Sequence, residues 1–295
     1  MFKLLKNGNT KKSGYPITKV AIVFFGLPRA LEHTKHSIGR HIFNVLKKEN
    51  IDYDTFIHHY VINGNYENPW SEEFTANFKN PDIKLALNPT YTLCDDQNEI
   101  IKELDFESYY TQKLDWCCDI PEERTKYIIR NFVLALYSKY KITKLLEEKK
   151  DEYSHVLFLR PDTLVHEPLD LKFFDEIHNN SMLVPDQDIY FGANDRIALC
   201  TIKVGLLYGT LYTSLLEYSQ RNALHSEKYL YDIMKNNNIT IIKRYWSYEN
   251  LRITGFNQYH GICNHRELQS ELPEESLETI PVDFFASMRT NLTIR

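Results

Sequence analysis

The chain has 295 residues, of which 43% are hydrophobic and 25% are charged, a composition typical of a globular protein with a substantial core. Its formal net charge of −5 provides no global basic field, which argues against nucleic acid or an anionic membrane as the partner. The 5 cysteines are odd in number and lack zinc-ligand spacing, so we expect buried thiols in a reducing compartment.

The amino-terminal part is predicted to be a polar leader, residues 1–17, followed by a first strand and helix. The longest early apolar run, 20–27, is too short to cross a bilayer, so we expect a soluble, cytoplasmic protein. This run predicts a buried strand that breaks at Gly26, before a helix over Leu31–Glu49. Gly26 allows a ligand to approach the backbone, and Arg29 could meet a phosphate near the helix N-terminus. A plain turn explains Gly26 equally well.

The second strand is predicted over Asp52–Tyr60 and ends with two histidines. His58 and His59 are adjacent and therefore point to opposite faces, which argues against a zinc pair. Either ring could contact a base or a phosphate, and a structural role is the commoner alternative. The chain contains neither the dinucleotide-binding glycine motif nor a P-loop. Residues 62–121 show weak periodicity and predict a variable insertion without assignable chemistry.

The most informative stretch is a long helix followed by a short buried strand. Apolar spacing and early acidic residues predict a helix over Pro121–Glu148, in which Arg130 and Asn131 interrupt the apolar stripe. These two residues could reach a nucleotide, although solvent exposure is the commoner fate of such positions. The run Val156–Leu159 predicts a strand buried on both faces, and it stops at Arg160-Pro161-Asp162.

Arg160 and Asp162 are predicted to lie at the carboxyl edge of the sheet, where open α/β sheets bind ligands. Asp162 could take a divalent cation that bridges the oxygens of a diphosphate, while Arg160 neutralises a further oxygen. The alternative is an aspartate that starts a turn and an arginine in a surface ion pair. The sequence therefore predicts a diphosphate site at this edge without excluding that alternative.

Further carboxylates follow along the chain. Asp186, Asp188 and Asp195 cluster in one loop region, where turn formation is the usual role of aspartate. Asn194 or Asp195 is predicted to cap a helix that runs to Leu216. Ser226 or its neighbour caps an amphipathic helix that carries Glu227, and Ile239–Tyr245 is predicted to be the last strand. His260 lies in the irregular tail and is a candidate late metal ligand.

The order of these pieces resembles the GT-A-type nucleotide-sugar glycosyltransferases of large DNA viruses and bacterial surface-glycan clusters. The resemblance rests on V-A-I-V-F-F-G-L-P-R, D-T-F-I-H-H-Y and H-V-L-F-L-R-P-D, followed by D-I-Y-F-G-A-N-D-R-I-A. It implies an α/β, GT-A-like fold with a mainly parallel sheet flanked by helices. The single domain would cover residues 18–255, with the insertion at 62–121, and a tail at 256–295 would complete or cover the site.

The resemblance also implies a function and a set of site residues. Asp162 and His260 would bind Mn²⁺ or Mg²⁺, and Arg160 stands where the family usually has a first aspartate. The nucleotide pocket, for which a UDP-sugar is favoured over a GDP-sugar, would be lined by Gly26, Leu27, Arg29, His58, Arg160 and Asp162. Asp195, then Asp188, then Glu227 are the candidate bases for a glycan or glycoprotein acceptor. The protein would work in the host cytoplasm if it is viral, and the alternative function is a non-catalytic nucleotide-sugar-binding module.

Overall fold

A seven-stranded sheet forms the centre of the computed structural model, which describes residues 17–114 and 121–257. The strands are β1 Val20–Gly26, β2 Tyr53–Val61, β3 Tyr66–Asn68, β4 Glu73–Thr75, β5 Tyr91–Asp96, β6 His155–Leu159, β7 Thr163–Val165, β8 Ser181–Pro185, β9 Ile197–Thr201, β10 Thr240–Arg244 and β11 Tyr248–Asn250. The central sheet has the order β10-β8-β9-β6-β1-β2-β5, while β3 pairs with β4 and β7 with β11.

Most neighbours in the central sheet are parallel. β1 runs parallel to β2 and β6, β2 parallel to β5, and β8 parallel to β10. Only β9 is antiparallel to both of its neighbours, β6 and β8. The central strands β1 and β6 are buried along nearly their whole length, as expected for strands covered on both faces. The predicted α/β class, with a mainly parallel sheet flanked by helices, is confirmed.

Helices cover both faces of the sheet. They are α1 Leu31–Ile38, α2 Asn44–Lys48, α3 Ile83–Leu87, α4 Gln97–Glu103, α5 Glu122–Glu147, α6 Lys172–Glu176, α7 Ile202–Gly209, α8 Tyr212–Ser219 and α9 Ser226–Asn236, and a π-helical turn, Gly39–Phe43, joins α1 to α2. One core cluster packs α5, α7, α8 and α9 against the sheet, and a second packs α1, α2, α3 and α6 against the opposite face. Within the described ranges, no helix has the length and apolarity needed to cross a membrane.

Helix α5 forms where the sequence predicts it. Pro121 precedes its first turn, where Glu122 and Glu123 complement the positive end of the helix dipole. Ile129 and Val133 lie on its buried face and pack into the first core cluster. The helix crosses β1 and β2, which brings its first half over the carboxyl edge of the sheet.

Two parts of the sheet differ from the sequence prediction. The expected helix from Asn194 to Leu216 is wrong at its start, because Ile197–Thr201 forms the buried strand β9 and the helix begins only at Ile202. A five-residue apolar run fits a buried strand and a buried helix equally well. Here it forms a strand that pairs with β6 on one side and β8 on the other. The segment predicted to be an insertion contributes β5, which extends the sheet by pairing with β2.

Candidate active site

A cleft with a volume of about 420 Å³ opens at the carboxyl ends of β1 and β6. Its walls come from the β1–α1 turn, the β3–β4 segment, the first half of α5, the loop after β8 and the chain around β11. Ligand sites of open α/β sheets lie at this edge, so the cleft is the candidate active site. The residues singled out in the sequence that line it are Gly26, Leu27, Arg29, Arg130, Asn131, Arg160, Asp188 and Asp195.

Asp162 lies at the base of this cleft and is fully buried. Arg160 donates from Nε to its Oδ1 at 2.9 Å and from Nη2 to its Oδ2 at 2.7 Å. Nη2 of Arg29 is 3.0 Å from the same Oδ2. Burial alone would raise the pKa of Asp162, but Arg160 and Arg29 hold it well below its ordinary range. The carboxylate is therefore ionised and shared by two guanidinium groups.

The ion-pair network extends from Arg29 into the β3–β4 segment. Nη1 of Arg29 donates to Tyr66 Oη at 3.0 Å and to Glu73 Oε2 at 3.2 Å. Nη1 of Arg252 is 3.9 Å from the same carboxylate oxygen. Burial alone would lower the pKa of Arg29, but Tyr66, Asp162 and Glu73 raise it, so the guanidinium stays charged. Two carboxylates thus fix three arginines at one end of the cleft.

The Asp162 environment does not fit the predicted metal ligand. A carboxylate that binds Mn²⁺ or Mg²⁺ must offer an oxygen to the metal, and both oxygens of Asp162 already accept hydrogen bonds from guanidinium groups. No group of three His, Cys, Asp or Glu residues in 17–114 and 121–257 is placed to hold a metal ion. The second predicted ligand, His260, lies outside the described residues. We therefore assign no step to a metal.

The carboxylates on the opposite side of the cleft are held in a different way. Asp195 Oδ1 is 3.1 Å from Nη1 of Arg196, which also contacts Glu227 Oε1 at 3.1 Å. Asp188 Oδ2 accepts a hydrogen bond from the Tyr248 hydroxyl at 3.0 Å. Asp188 and Asp195 both line the cleft and are half-buried, so their oxygens can reach a ligand there.

Glu227 does not line the cleft, although it was predicted to face it. It is buried at the start of α9, where Ser226 Oγ donates to it at 2.6 Å and His225 Nδ1 is 3.2 Å away. Burial alone would raise the pKa of Glu227, but these partners and Arg196 lower it to about 2. A carboxylate this acidic and enclosed is a poor proton acceptor, and its position indicates that it orients Arg196.

The turn between Asp188 and Asp195 is locked to α9. A Cβ placed on Gly192 would lie 1.9 Å from the backbone oxygen of Glu227, so only glycine fits this approach. Asn194 is fully buried, and its side-chain oxygen accepts hydrogen bonds from the backbone N–H groups of Arg196 and Ile197, both at 3.0 Å. These contacts fix the direction of the Asp195 side chain before any ligand binds.

His58 does not fit the predicted nucleotide contact. Its Nδ1 is 2.7 Å from Ser138 Oγ and its Nε2 is 2.9 Å from Asp95 Oδ2, so both ring nitrogens have partners. The ring is completely buried between β2 and α5, and burial lowers its pKa to about 4. The same serine accepts a hydrogen bond from the Gly26 N–H at 2.7 Å, so His58 supports the end of β1 from below the cleft.

Several cleft residues were not predicted. Arg196, Arg252, Tyr66, Trp70 and Tyr248 line the cleft, and the sequence offers no local signal that selects them. Arg130, by contrast, interrupts the apolar stripe of α5, and this break was visible in the sequence. Its guanidinium stacks 4.4 Å from the centroid of the Tyr127 ring, and it makes no ion pair with any residue that the structure describes.

Lys139 is a buried cation immediately beneath the candidate site. Its ammonium lies 3.5 Å above the ring of Tyr208 and 5.1 Å from that of Phe25. It lines a second cavity of about 10 Å³ together with Asp195 and Arg160. Burial lowers the pKa of Lys139 from 10.5 to about 7, and the opposing attraction of Asp195 is smaller.

Lys139→Met is expected to stabilise the protein in a pH-dependent manner. The folded-state pKa is lowered, so below pH 7 the fold carries the whole cost of a protonated buried lysine, and this cost disappears as the pH rises from about 7 to 10.5. Replacing a buried ionic group with an apolar one of similar volume gains roughly 1–4 kcal/mol in favourable cases. Urea unfolding should show a gain of that order at pH 6 that shrinks towards pH 10. A variant less stable than wild type at pH 6 would contradict this account.

Two solved structures that resemble this chain are distant matches. No protein-family description and no curated protein matches the sequence. Galactosyltransferase LgtC, solved with donor and acceptor sugar analogs, is 12% identical with a TM-score of 0.37, over 76% of this chain and 72% of that one. The apo-form glycosyltransferase GlyE of Streptococcus pneumoniae TIGR4 is 16% identical with a TM-score of 0.36, over 76% of this chain and 45% of that one. Scores this low support no statement about activity, which has to be inferred from the cleft.

Proposed function

We propose that the protein is a glycosyltransferase that moves a sugar from a nucleotide-diphosphate donor to a hydroxyl group of a glycan or glycoprotein. The observation that carries this proposal is the pairing, in one cleft, of an arginine-rich end with two accessible carboxylates. A departing nucleoside diphosphate needs positive charge, and an acceptor hydroxyl needs a proton acceptor. The cleft offers both at the carboxyl edge of the sheet.

The cationic end would bind the donor diphosphate. Arg160 uses Nε and Nη2 for Asp162, which leaves Nη1 available, and its side chain is 26% exposed. Gly26 has a φ of +97° and carries no side chain, so the backbone at the end of β1 can approach the nucleotide. Trp70 lines the same cleft, with the Arg124 guanidinium 5.7 Å from its ring centroid, and its ring would contact the base of the nucleotide. A UDP-sugar is the favoured donor and a GDP-sugar the next.

The carboxylates would act at the acceptor. In an inverting reaction, the acceptor oxygen forms a bond to the anomeric carbon and its proton passes to a carboxylate. The bond from the anomeric carbon to the phosphate oxygen breaks, and the nucleoside diphosphate leaves with the electron pair. Asp195 is the first candidate for the base and Asp188 the second, because both line the cleft. A retaining reaction would not require either residue as a base.

The test is a thermal-shift panel of UDP-, GDP- and CMP-sugars on the full chain, followed by release of nucleotide from the donors that bind. A ligand at a hundredfold excess over its Kd stabilises the folded state by about 2.7 kcal/mol. We expect a UDP- or GDP-sugar to raise the melting temperature and to be hydrolysed slowly without acceptor. The CMP-sugar, which has a single phosphate, should give the smallest shift.

Two outcomes would decide against the proposal. Binding without any hydrolysis or transfer, over a range of acceptors, would assign the protein to the non-catalytic nucleotide-sugar-binding modules. If no donor raised the melting temperature, the result would contradict the proposal that the cleft binds a diphosphate. Arg130→Gln should reduce the shift, and Arg221→Gln is the matched control because Arg221 is 76% exposed and pairs with the exposed Glu217.

A further inference from the structure

We propose that a cluster of arginines takes the place of a divalent cation at the donor diphosphate, and this inference rests on the proposed function. The arginine cluster comprises Arg29, Arg130, Arg160 and Arg252 together with the carboxylates of Asp162 and Glu73. All four arginines line the cleft. The ligand class is a nucleoside diphosphate bound without Mn²⁺ or Mg²⁺.

The first argument concerns the role of Asp162. Its oxygens receive two hydrogen bonds from Arg160 and a third contact from Arg29, at 2.7 to 3.0 Å. Asp162 is fully buried, and a metal bound to it would lie beside two guanidinium groups that already contact its oxygens. The bidentate geometry of Arg160 is the strongest form of an arginine–carboxylate pair. The contacts of Arg160 and Arg29 with Asp162 are both formed without a ligand. Asp162 therefore anchors the arginines and does not serve as a ligand.

The second argument concerns charge. Four guanidinium groups and two carboxylates give the arginine cluster a formal charge of +2, equal to that of one divalent cation. The same cleft is also lined by the carboxylates of Glu67, Asp188, Asp195 and Glu249, so this positive charge belongs to the arginine cluster and not to the cleft as a whole. A diphosphate would bring the negative charge that the cluster lacks. The cluster thus matches the diphosphate electrostatically before any metal is added.

The third argument concerns the hydrogen-bond donors that remain. Arg160 has Nη1 left after binding Asp162, and its side chain reaches the cleft. Arg130 makes no ion pair within the described residues, and its buried Nε has no hydrogen-bond partner there. Burial lowers the pKa of Arg130, and the opposing attractions of Tyr127, Tyr66 and Glu67 are too small to offset it. An anion that entered the cleft could accept a hydrogen bond from this guanidinium group.

The test is the affinity of UDP, with GDP as the second probe, measured by calorimetry on the full chain in EDTA and again in Mn²⁺. We expect the Kd for UDP in EDTA and the Kd in Mn²⁺ to agree within about threefold. Arg130→Gln should raise the Kd for UDP in EDTA about tenfold or more, because hydrogen bonds to charged groups contribute more to the binding free energy than neutral ones do. The Kd for UMP, which has one phosphate, should rise less on the same substitution. Arg221→Gln is the control and should bind UDP as wild type does.

Asp162→Asn separates the two roles of the carboxylate. If Asp162 only anchors arginines, the variant should change the affinity for UDP by the same factor in EDTA and in Mn²⁺, because no metal contact is lost. If Asp162 binds a metal, the variant should lose its Mn²⁺-dependent affinity. Should this variant fail to fold, the wild-type comparison of EDTA with Mn²⁺ and the Arg130→Gln result still decide the question.

The failures of the two proposals are distinguishable. UDP or GDP binding that requires Mn²⁺, or that tightens more than tenfold when it is added, would overturn the metal-free cluster and leave the proposed function intact. Equal binding of UDP by Arg130→Gln and wild type in EDTA would also overturn it. No binding of UDP or GDP under either condition would contradict the proposed function itself.

Discussion

Asp195→Asn is expected to lower kcat for sugar transfer by about 10²–10⁴-fold, the usual effect of removing a general base. Asp195 Oδ1 is engaged by Arg196 at 3.1 Å, and Oδ2 makes no hydrogen bond with any described residue, so this oxygen is available to an acceptor hydroxyl. Asparagine keeps the shape and the contact with Arg196 but cannot accept the proton. The measurement is kcat at saturating donor and acceptor, with the donor Kd as a check that binding is unchanged.

Asp188→Asn is the matched comparison for this prediction. Both oxygens of Asp188 have partners, since Tyr248 donates to Oδ2 at 3.0 Å and the Tyr190 hydroxyl lies 3.5 Å from Oδ1. We therefore expect a smaller loss of kcat than at Asp195. A larger loss in Asp188→Asn would move the role of base to Asp188. Unchanged kcat in both variants would show that neither carboxylate takes the proton, an outcome that is compatible with a retaining mechanism.

Asp162→Ala is expected to lower the free energy of unfolding by about 3–5 kcal/mol, because removing one partner of a buried ion pair leaves uncompensated charge. The residue is fully buried, and its loss leaves Arg29, itself buried, and Arg160 without their shared carboxylate. Urea unfolding at pH 7 measures the change. Asp52→Ala is the control, because Asp52 is exposed and should change stability by less than about 0.5 kcal/mol.

The same substitution has a predictable dependence on pH. The pKa of Asp162 is lowered in the folded state, so its ion pairs add stability above the ordinary carboxyl pKa of 3.8, and this stability is lost as the pH falls below that value. The difference between wild type and Asp162→Ala should therefore be largest at pH 7 and narrower at about pH 3. A constant difference across this range, or none at pH 7, would refute the account of the buried ion pairs.

The sequence predicted the parts of the site that depend on local chain chemistry. A buried apolar run that stops at Gly26 or at Arg160-Pro161-Asp162 specifies a strand and its end, and the structure has both strands where they were expected. The partners of Asp162 were not predictable in the same way. Arg29 lies 133 positions earlier in the chain, and only the folded sheet brings it to 3.0 Å from the carboxylate. The sequence alone therefore cannot distinguish an aspartate that binds a metal from one that pairs with arginines.

Long-range pairing also explains what was missed around the insertion. Tyr66 and Glu73 lie in a segment with weak periodicity, yet they hold Arg29 at one end of the cleft. Their contribution depends on a short hairpin whose apolar pattern is too brief to stand out. His58 shows the converse, since a histidine at a strand end suggested a ligand contact and packing under α5 decided otherwise.

The antiparallel strand β9 makes the position of Asp195 a matter of sheet register. The first residue of β9, Ile197, pairs with Leu159, the last residue of β6, so the chain before β9 meets the chain after β6 at the same edge. A deletion of one residue within β9 would draw Asp195 about 3.3 Å along the strand and turn alternate side chains to the opposite face. Length changes should thus be tolerated far less in this strand than in the surface loops, so residues that do not line the cleft determine where Asp195 lies.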